Sequence, residues 1–341
     1  MLDTTTVIAL VTVVFLAVAF DFINGFHDTA NSIATSVSTR VLSPRQAIIM
    51  AAVLNFLGAL MSHSVAKTIS HGLVDAAVVP EYVVAATLSA AIAWNLITWY
   101  FGIPSSSSHA LIGALLGASM THTLSLGVVK WNGVLNKVVI PLVTSPIIGL
   151  LLGFTFMKLL FLLLHHATPG FVNRWFAKLQ IISAAFMAYT HGMNDAQKSM
   201  GIITFALVGA GILPAGAGVP VWVMVLCALA MAAGTASGGW RIIKTMGVNM
   251  IRLQPVNGFA AETSAAIVIA GASAVGAPVS TTHVISTAIM GVGAAKRVSA
   301  VRWMLAKNII AAWILTIPVS ALLGGIAVLG VDTAARLLHF R

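Results

Sequence analysis

The chain has 341 residues, of which 59% are hydrophobic and only 8% charged, against roughly 25% charged in soluble domains. A mean hydropathy of +1.00 and repeated apolar runs of about 20 residues exclude a water-soluble globule, and their continuity excludes a β-barrel, whose strands alternate. The net charge of +10 would suit nucleic acid in a soluble protein, but basic loops on the cytoplasmic side of a membrane account for it, and no nucleic-acid partner is expected.

The first apolar segment carries Asp3 and no basic leader, so it is expected to be retained, as a span over 5–37. Further spans are expected over 46–62, 81–102, 104–121 and 133–164. The stretch TPGFVNRWFAKLQ (168–180) is basic and aromatic, and reads as an interfacial helix or linker. Spans then recur over 179–206, 220–238, 256–275, 278–294 and 303–330. The segments at 104–121 and 278–294 are short and begin with proline, which marks them as broken or re-entrant. Cys227 is the single cysteine, so neither an internal disulfide nor a cysteine-based structural metal site is available.

Two motifs occur twice. NGFHDTANS (24–32) is matched by HGMNDAQKS (191–199), and PSSSSH (104–109) by PVSTTH (278–283), at offsets of 167 and 174 residues. The same order in both halves indicates an internal duplication. The halves are read as a first transmembrane repeat over 1–165, a cytoplasmic linker over 166–178 and a second repeat over 179–341. Arg40, Arg45, Arg174, Lys178, Arg241, Lys244, Arg252, Lys296, Arg297 and Arg302 fall on one side of these spans. Lys67, Lys130, Lys137, Arg336 and Arg341 fall on the other, so the first side is assigned to the cytoplasm. Both termini then lie outside. With five segments each, the halves run in opposite directions through the cell (cytoplasmic or inner) membrane, an arrangement that places substrate near the midplane. The expected fold is an all-α polytopic membrane protein of two inverted repeats, and a homodimer is one assembly open to it.

Most acidic residues lie in loops or termini, but Asp21, Asp28, Asp195 and Glu262 fall inside expected spans. A charged side chain there is costly enough to be a functional candidate by default. Asp28 with Asn31 and Asn24, and Asp195 with Asn194, group carboxylate and amide oxygens suited to a hard cation or a proton. Asp28, Asn31, Asn194, Asp195 and Glu262 are therefore the candidate coupling-ion residues. Asp21 ranks below them because it can sit near an interface. Gly25 and Gly192, three residues before each aspartate, are expected to let the backbone unwind and present carbonyls.

Pro104 and Pro278 fit the first turn of a helix, where free N–H groups and the helix dipole favour an anion. Ser105, Ser106, Ser107 and Ser108, with Ser280, Thr281 and Thr282, add hydroxyls that both donate and accept, which suits a protonated phosphate. These are the candidate substrate-binding residues. His27, His109, His191 and His283 accompany the four motifs and are read as supporting groups, alongside Lys198. Asp195 and Lys198, at i and i+3, can alternatively form a structural pair.

These motifs, INGFHDTANSIAT, HGMNDAQKSMG, IPSSSSHALIGA and APVSTTHVIS, resemble the signatures of the inorganic phosphate transporter family, above all its bacterial low-affinity members. The resemblance spans both halves. It implies a secondary carrier of inverted repeats, with no cofactor, in which phosphate moves with protons or sodium. It also implies that phosphate can travel as a neutral complex with Mg2+ or another divalent cation, and that related proteins move sulfate. Two departures stand out: Phe26 and His27 precede Asp28 where the general signature has Ala-Asn, and Gln197-Lys198 replace Ala-Asn in the second copy. An ammonium beside Asp195 competes with sodium, so proton coupling is expected. Sodium-coupled phosphate symport, a sulfate permease and a passive anion channel are the alternatives. An intramembrane hydrolase built on Ser108 is disfavoured because adjacent Ser108 and His109 point about 100° apart on a helix and no nucleophile elbow is present.

Overall fold

The computed structural model describes residues 3–339, and Arg341, counted above among the outer charges, lies outside them. Among the described residues the chain is helical almost throughout, the strand-like exception being a bridge between Val74 and Val129. Helix α1 (Thr4–Ser38) starts where the Asp3 carboxylate accepts from Thr6 N at 2.9 Å. Helix α2 (Pro44–Ala59) opens on a Ser43/Gln46 capping box with Pro44 in its first turn. Then follow α3 (Ser64–His71), α4 (Glu81–Tyr100), α5 (Ser107–Thr123) and α6 (Trp131–Leu163). A π-helical turn at Leu135–Val139 precedes Pro141, whose ring would otherwise press on the carbonyl of Lys137.

The second half comprises α7 (Pro169–Gly209), α8 (Val221–Ser237), α9 (Trp240–Gly247), α10 (Pro255–Ala274), α11 (Thr281–Lys296) and α12 (Trp303–His339). Each half thus has the same series: a long helix, a bent pair, a middle helix, a short helix and a long closing helix. The halves also pack reciprocally. In one direction α1 lies against α8, and in the other α7 lies against α2; likewise α5 packs on α12 and α11 on α6. The short α3 rests on α7, and α9 on α1. The matching extends to single bonds: the Trp131 indole donates to Leu126 O at 3.1 Å, and that of Trp303 to Val298 O at 2.9 Å.

Several expectations need correction. The segments 46–62 and 220–238 are not simple spans: α2 and α3 meet at 65°, and α8 and α9 at 61°. Gly238, at φ +74°, makes the second bend with a backbone conformation that side chains disfavour. Pro104 and Pro278 lie ahead of their helices, not in the first turn, because Ser106 and Ser280 are the N-caps. Residues 169–178, read as an interfacial helix or linker, are helical and form the first turns of the 41-residue α7. Among the described residues, by length and apolarity alone, four helices can cross a membrane, or six with the two bent pairs. The helices at 104–121, 179–206, 256–275 and 278–294 carry the polar motifs or are short, and for that reason escape this measure. Outward-facing residues such as Phe15, Leu162 and Ile314 are exposed, as lipid-facing side chains are.

Candidate functional site

Both polar motifs of the first kind sit in the middle of unbroken helices. NGFHDTANS lies within α1 and HGMNDAQKS within α7, and these two helices pack on each other. Gly25 and Gly192 therefore do not unwind the backbone. They allow close approach: a Cβ on Gly25 would overlap the Met231 carbonyl oxygen on α8, and one on Gly192 that of Asn55 on α2. Gly234 and Gly58 are their partners, facing Phe22 O and Tyr189 O in turn. The glycines hold the two motif-bearing helices at the centre of the bundle by small-residue packing.

At that centre Asp28, His191 and Asp195 bring one ligand atom each to within 4.8 Å of one another. All are buried, as are Asn24, His27, Asn31, Asn194 and Lys198. Asp195 Oδ1 accepts from Lys198 Nζ at 2.6 Å. Its Oδ2 lies 3.4 Å from His191 Nε2, near enough for charge to act but off the hydrogen-bonding direction. His191 Nδ1 reaches Asn55 Oδ1 at 3.1 Å. Asp28 Oδ1 is 2.6 Å from His27 Nδ1, whose other nitrogen meets Thr98 Oγ1 at 3.1 Å. Oxygen and imidazole donors in this arrangement suit a small hard cation, yet Lys198 already brings a positive charge to one of the two carboxylates.

The second pair of motifs joins the first at the starts of α5 and α11. Thr281 Oγ1 donates to Asp195 Oδ2 at 3.3 Å, and Thr282 Oγ1 to Asp28 Oδ1 at 3.5 Å. Asn31 Nδ2 spans the two hydroxyls, at 3.1 Å and 2.9 Å. The two threonines thus link the carboxylates to the N-terminus of α11. Ser106 and Ser280 each cap the N–H three residues on, at 3.2 Å, so they hold the helix starts. Ser105 donates to Thr98 Oγ1 at 2.8 Å and Ser108 to Val279 O at 3.1 Å. Ser107 Oγ, Asn31 Oδ1, His109 Nδ1 and His283 Nε2 are buried without a hydrogen-bond partner in the protein. His109 and His283 face one another with ring centres 5.0 Å apart, and His283 stacks on Trp313 at 4.0 Å. Trp313 donates to Pro104 O at 2.9 Å, tying α12 to the first motif. A groove of about 370 Å³ beside His283 is lined by Leu142, Pro146, Leu150, Ile310 and Ile314, and its apolar walls suit an acyl chain rather than an anion.

Two candidate residues lie off this centre. Asn194 turns aside to donate to Ser273 Oγ at 2.8 Å. Glu262 on α10 has its own donors: Thr35 and Ser183 hydroxyls, one to each oxygen, and Gln180 Nε2 at 3.2 Å. The sequence reading missed Thr98, Asn55, Gln180, Ser183 and Ser273, the partners that fix the motif side chains. Thr98, Asn55, Ser183 and Ser273 are polar residues inside apolar runs, which is the signal that marks them, whereas Gln180 ends the basic stretch 168–180 and carries no such signal.

The arrangement defines a polytopic helical membrane protein of two reciprocally packed halves, with ion pairs and opposed helix starts sharing one buried centre. Residues 24–324 match the phosphate transporter family, and the chain belongs to that family. A Bacillus subtilis protein described as "Probable low-affinity inorganic phosphate transporter" is 50% identical over 317 residues, covering 92% of this chain and 95% of its own length. A Rhizobium meliloti protein with the same description is 48% identical, covering 96% and 97%. A solved structure described as "The sodium-dependent phosphate transporter" superposes with a TM-score of 0.85 at 25% identity, over 95% of this chain and 99% of that one. The relatives carry the names of transporters, not enzymes.

Proposed function

We propose that this chain is a secondary active transporter that moves inorganic phosphate by symport with protons across the cytoplasmic membrane, its termini outside. Asp28, Asn31 and Asp195 handle the coupling charge, and the hydroxyls after Pro104 and Pro278 contact phosphate, with Ser107 and the Thr281–Thr282 pair foremost. The observation that carries the proton reading is the 2.6 Å contact between Lys198 and Asp195. Sodium would have to displace an ammonium that is tethered one helical turn away. A proton does not: neutralising Asp195 releases Lys198, whose charge is then free to face the anion. Proton binding and phosphate binding are coupled through that one side chain. Phosphate held as hydrogenphosphate, or paired with a divalent cation, lowers the charge that must cross the membrane.

Proteoliposomes with independently set pH, sodium and magnesium test the proposal. Uptake should follow an imposed pH gradient without sodium, and magnesium dependence would report co-transport of the metal complex. Strong uptake on a sodium gradient alone would overturn proton coupling. Sodium symport is the second reading, favoured by the description of the superposed structure. Competition by sulfate distinguishes a sulfate permease, and accumulation against a phosphate gradient distinguishes a carrier from a channel.

A further inference from the structure

Asp21, Asp28 and Thr35 stand seven residues apart on α1, on one stripe of the helix, at steps of about 10 Å along its axis. The middle step is the Asp28–Asp195 centre. At Thr35 the stripe meets Glu262, both of whose oxygens accept hydrogen bonds. At Asp21 it meets Ser199 of α7, whose hydroxyl donates to Asp21 Oδ1 at 2.6 Å. Asp21 is fully buried, and its Oδ2 has no hydrogen-bond partner among the described residues. Cys227, fully buried on α8, lies in the same core cluster as the neighbouring Phe20, where α8 packs on α1. Ser199 adjoins Lys198 and lies one turn from Asp195.

An acid kept for packing alone is expected to have both oxygens satisfied, as Glu262 has. A buried carboxylate with one oxygen left unpartnered is instead suited to gaining and losing a proton. The trio also breaks the internal symmetry. Shifting Asp21 and Ser199 by the offset of 167 residues reaches Ala188 and Ser32, and Cys227 corresponds to Ala51 by the Met231–Asn55 glycine contacts. The positions equivalent to Asp21 and Cys227 in the other half therefore carry neither a carboxylate nor a thiol.

We propose that Asp21, with Ser199 and Cys227, is a proton-carrying station on the half-pathway between the central pair and the membrane face where α1 begins. Its carboxylate takes a proton from hydronium on that side and becomes neutral. It later gives the proton to the ionised Asp195 carboxylate and is left ionised. On the helices packed there, the ionisable residue of α8 is Cys227, and those of α7 nearest Ser199 are Lys198 and Asp195, one and four residues before it. Helix α4, also packed on α1, has no ionisable residue between Tyr82 and Tyr100. The station rests on the proton-coupled reading above.

The test uses the full chain in proteoliposomes. Asp21→Asn should lose net uptake driven by a pH gradient by roughly tenfold or more, while exchange of labelled for unlabelled phosphate at equal pH persists. Asp21→Glu should restore net uptake. Ser199→Ala removes the hydroxyl that donates to Asp21 Oδ1 and should change the pH profile of gradient-driven uptake, which a purely structural role would leave in place. In the parent, N-ethylmaleimide should label Cys227 faster while phosphate is cycling than when phosphate is withheld. Should Asp21→Asn fail to accumulate, Ser199→Ala and the labelling decide the matter. Gradient-driven uptake by Asp21→Asn at the parent's rate and pH profile, or a Cys227 that labels at one rate in both conditions, would overturn the station. A parent that ignores pH gradients and follows sodium overturns the proton-coupled reading itself, and is recognised before any variant is made.

Discussion

Lys198 and Asn31 occupy equivalent places in the two halves, three residues after Asp195 and Asp28, and they do different work. Lys198 donates its ammonium to the neighbouring aspartate at 2.6 Å, whereas Asn31 reaches away from Asp28 to the hydroxyls of Thr281 and Thr282. The centre is therefore asymmetric in charge although its backbone is duplicated. One half brings a fixed cation, and the other brings an amide that ties the carboxylates to the helix start.

Lys198→Asn should make phosphate uptake respond to sodium and weaken its response to pH, because Asp195 then resembles its partner in the first half. Uptake under separate sodium and pH gradients reads this directly. Unchanged coupling would remove Lys198 from the mechanism.

Lys198→Ala should destabilise the protein by about 3–5 kcal/mol, because it leaves Asp195 buried beside a lost counter-charge. The double variant Lys198→Ala/Asp195→Ala should recover much of that loss. Thermal unfolding of the purified protein in detergent compares the three, and additive losses would mean that the pair is not energetically coupled.

Asp28→Asn and Asp195→Asn should each abolish net uptake while leaving the protein in the membrane at normal levels. Transport by both variants at the parental rate would refute the assignment of these carboxylates to coupling.

The serines after Pro104 should separate by role. Ser106→Ala loses an N-cap, which costs about 0.5–2 kcal/mol of stability, with a modest effect on phosphate affinity. Ser107→Ala should leave stability nearly unchanged and raise the apparent KM for phosphate by roughly ten- to a hundredfold, the value of a hydrogen bond to a charged ligand. Equal behaviour of the two variants would show that Ser107 does not touch the anion.

Gly25→Ala should lower the unfolding temperature clearly, since its new methyl would overlap the Met231 carbonyl and push α1 off α8 at a cost of about 1–3 kcal/mol. Gly170→Ala is the control, because nothing lies within 4 Å of a Cβ there. Helix propensity alone favours alanine at both sites, so a similar loss in both would mean that the overlap with Met231 is not its cause.

Much of this was legible in the sequence for a physical reason. Polar residues in apolar helices are costly, so Asp28, Asp195 and the serine and threonine runs announce themselves, and their repetition reveals the duplication. The bends between α2 and α3 and between α8 and α9 were not legible, because continuous apolar composition says nothing about direction. Thr98 and Asn55 escaped because each is a single polar residue whose role appears only when His27 and His191 reach it from another helix. The glycines were found but misread: Gly25 and Gly192 have counterparts at Gly234 and Gly58, and that pairing of small residues signals contact between helices rather than a break within one. Asp21 ranks low in the sequence because it can sit near an interface, and the structure adds that it is buried between helices with a donor in Ser199.

The reciprocal packing also bears on how the chain is made. Helix α5, with its buried serines, packs on α12, and α6 packs on α11. A ribosome delivers the first half long before these partners exist. During synthesis the nascent first half must hold a serine-rich helix start and an unpaired α6 in or beside the bilayer until the last helices arrive. The first half alone therefore lacks the partners of α5 and α6, and the two halves expressed as separate polypeptides should be stable only together.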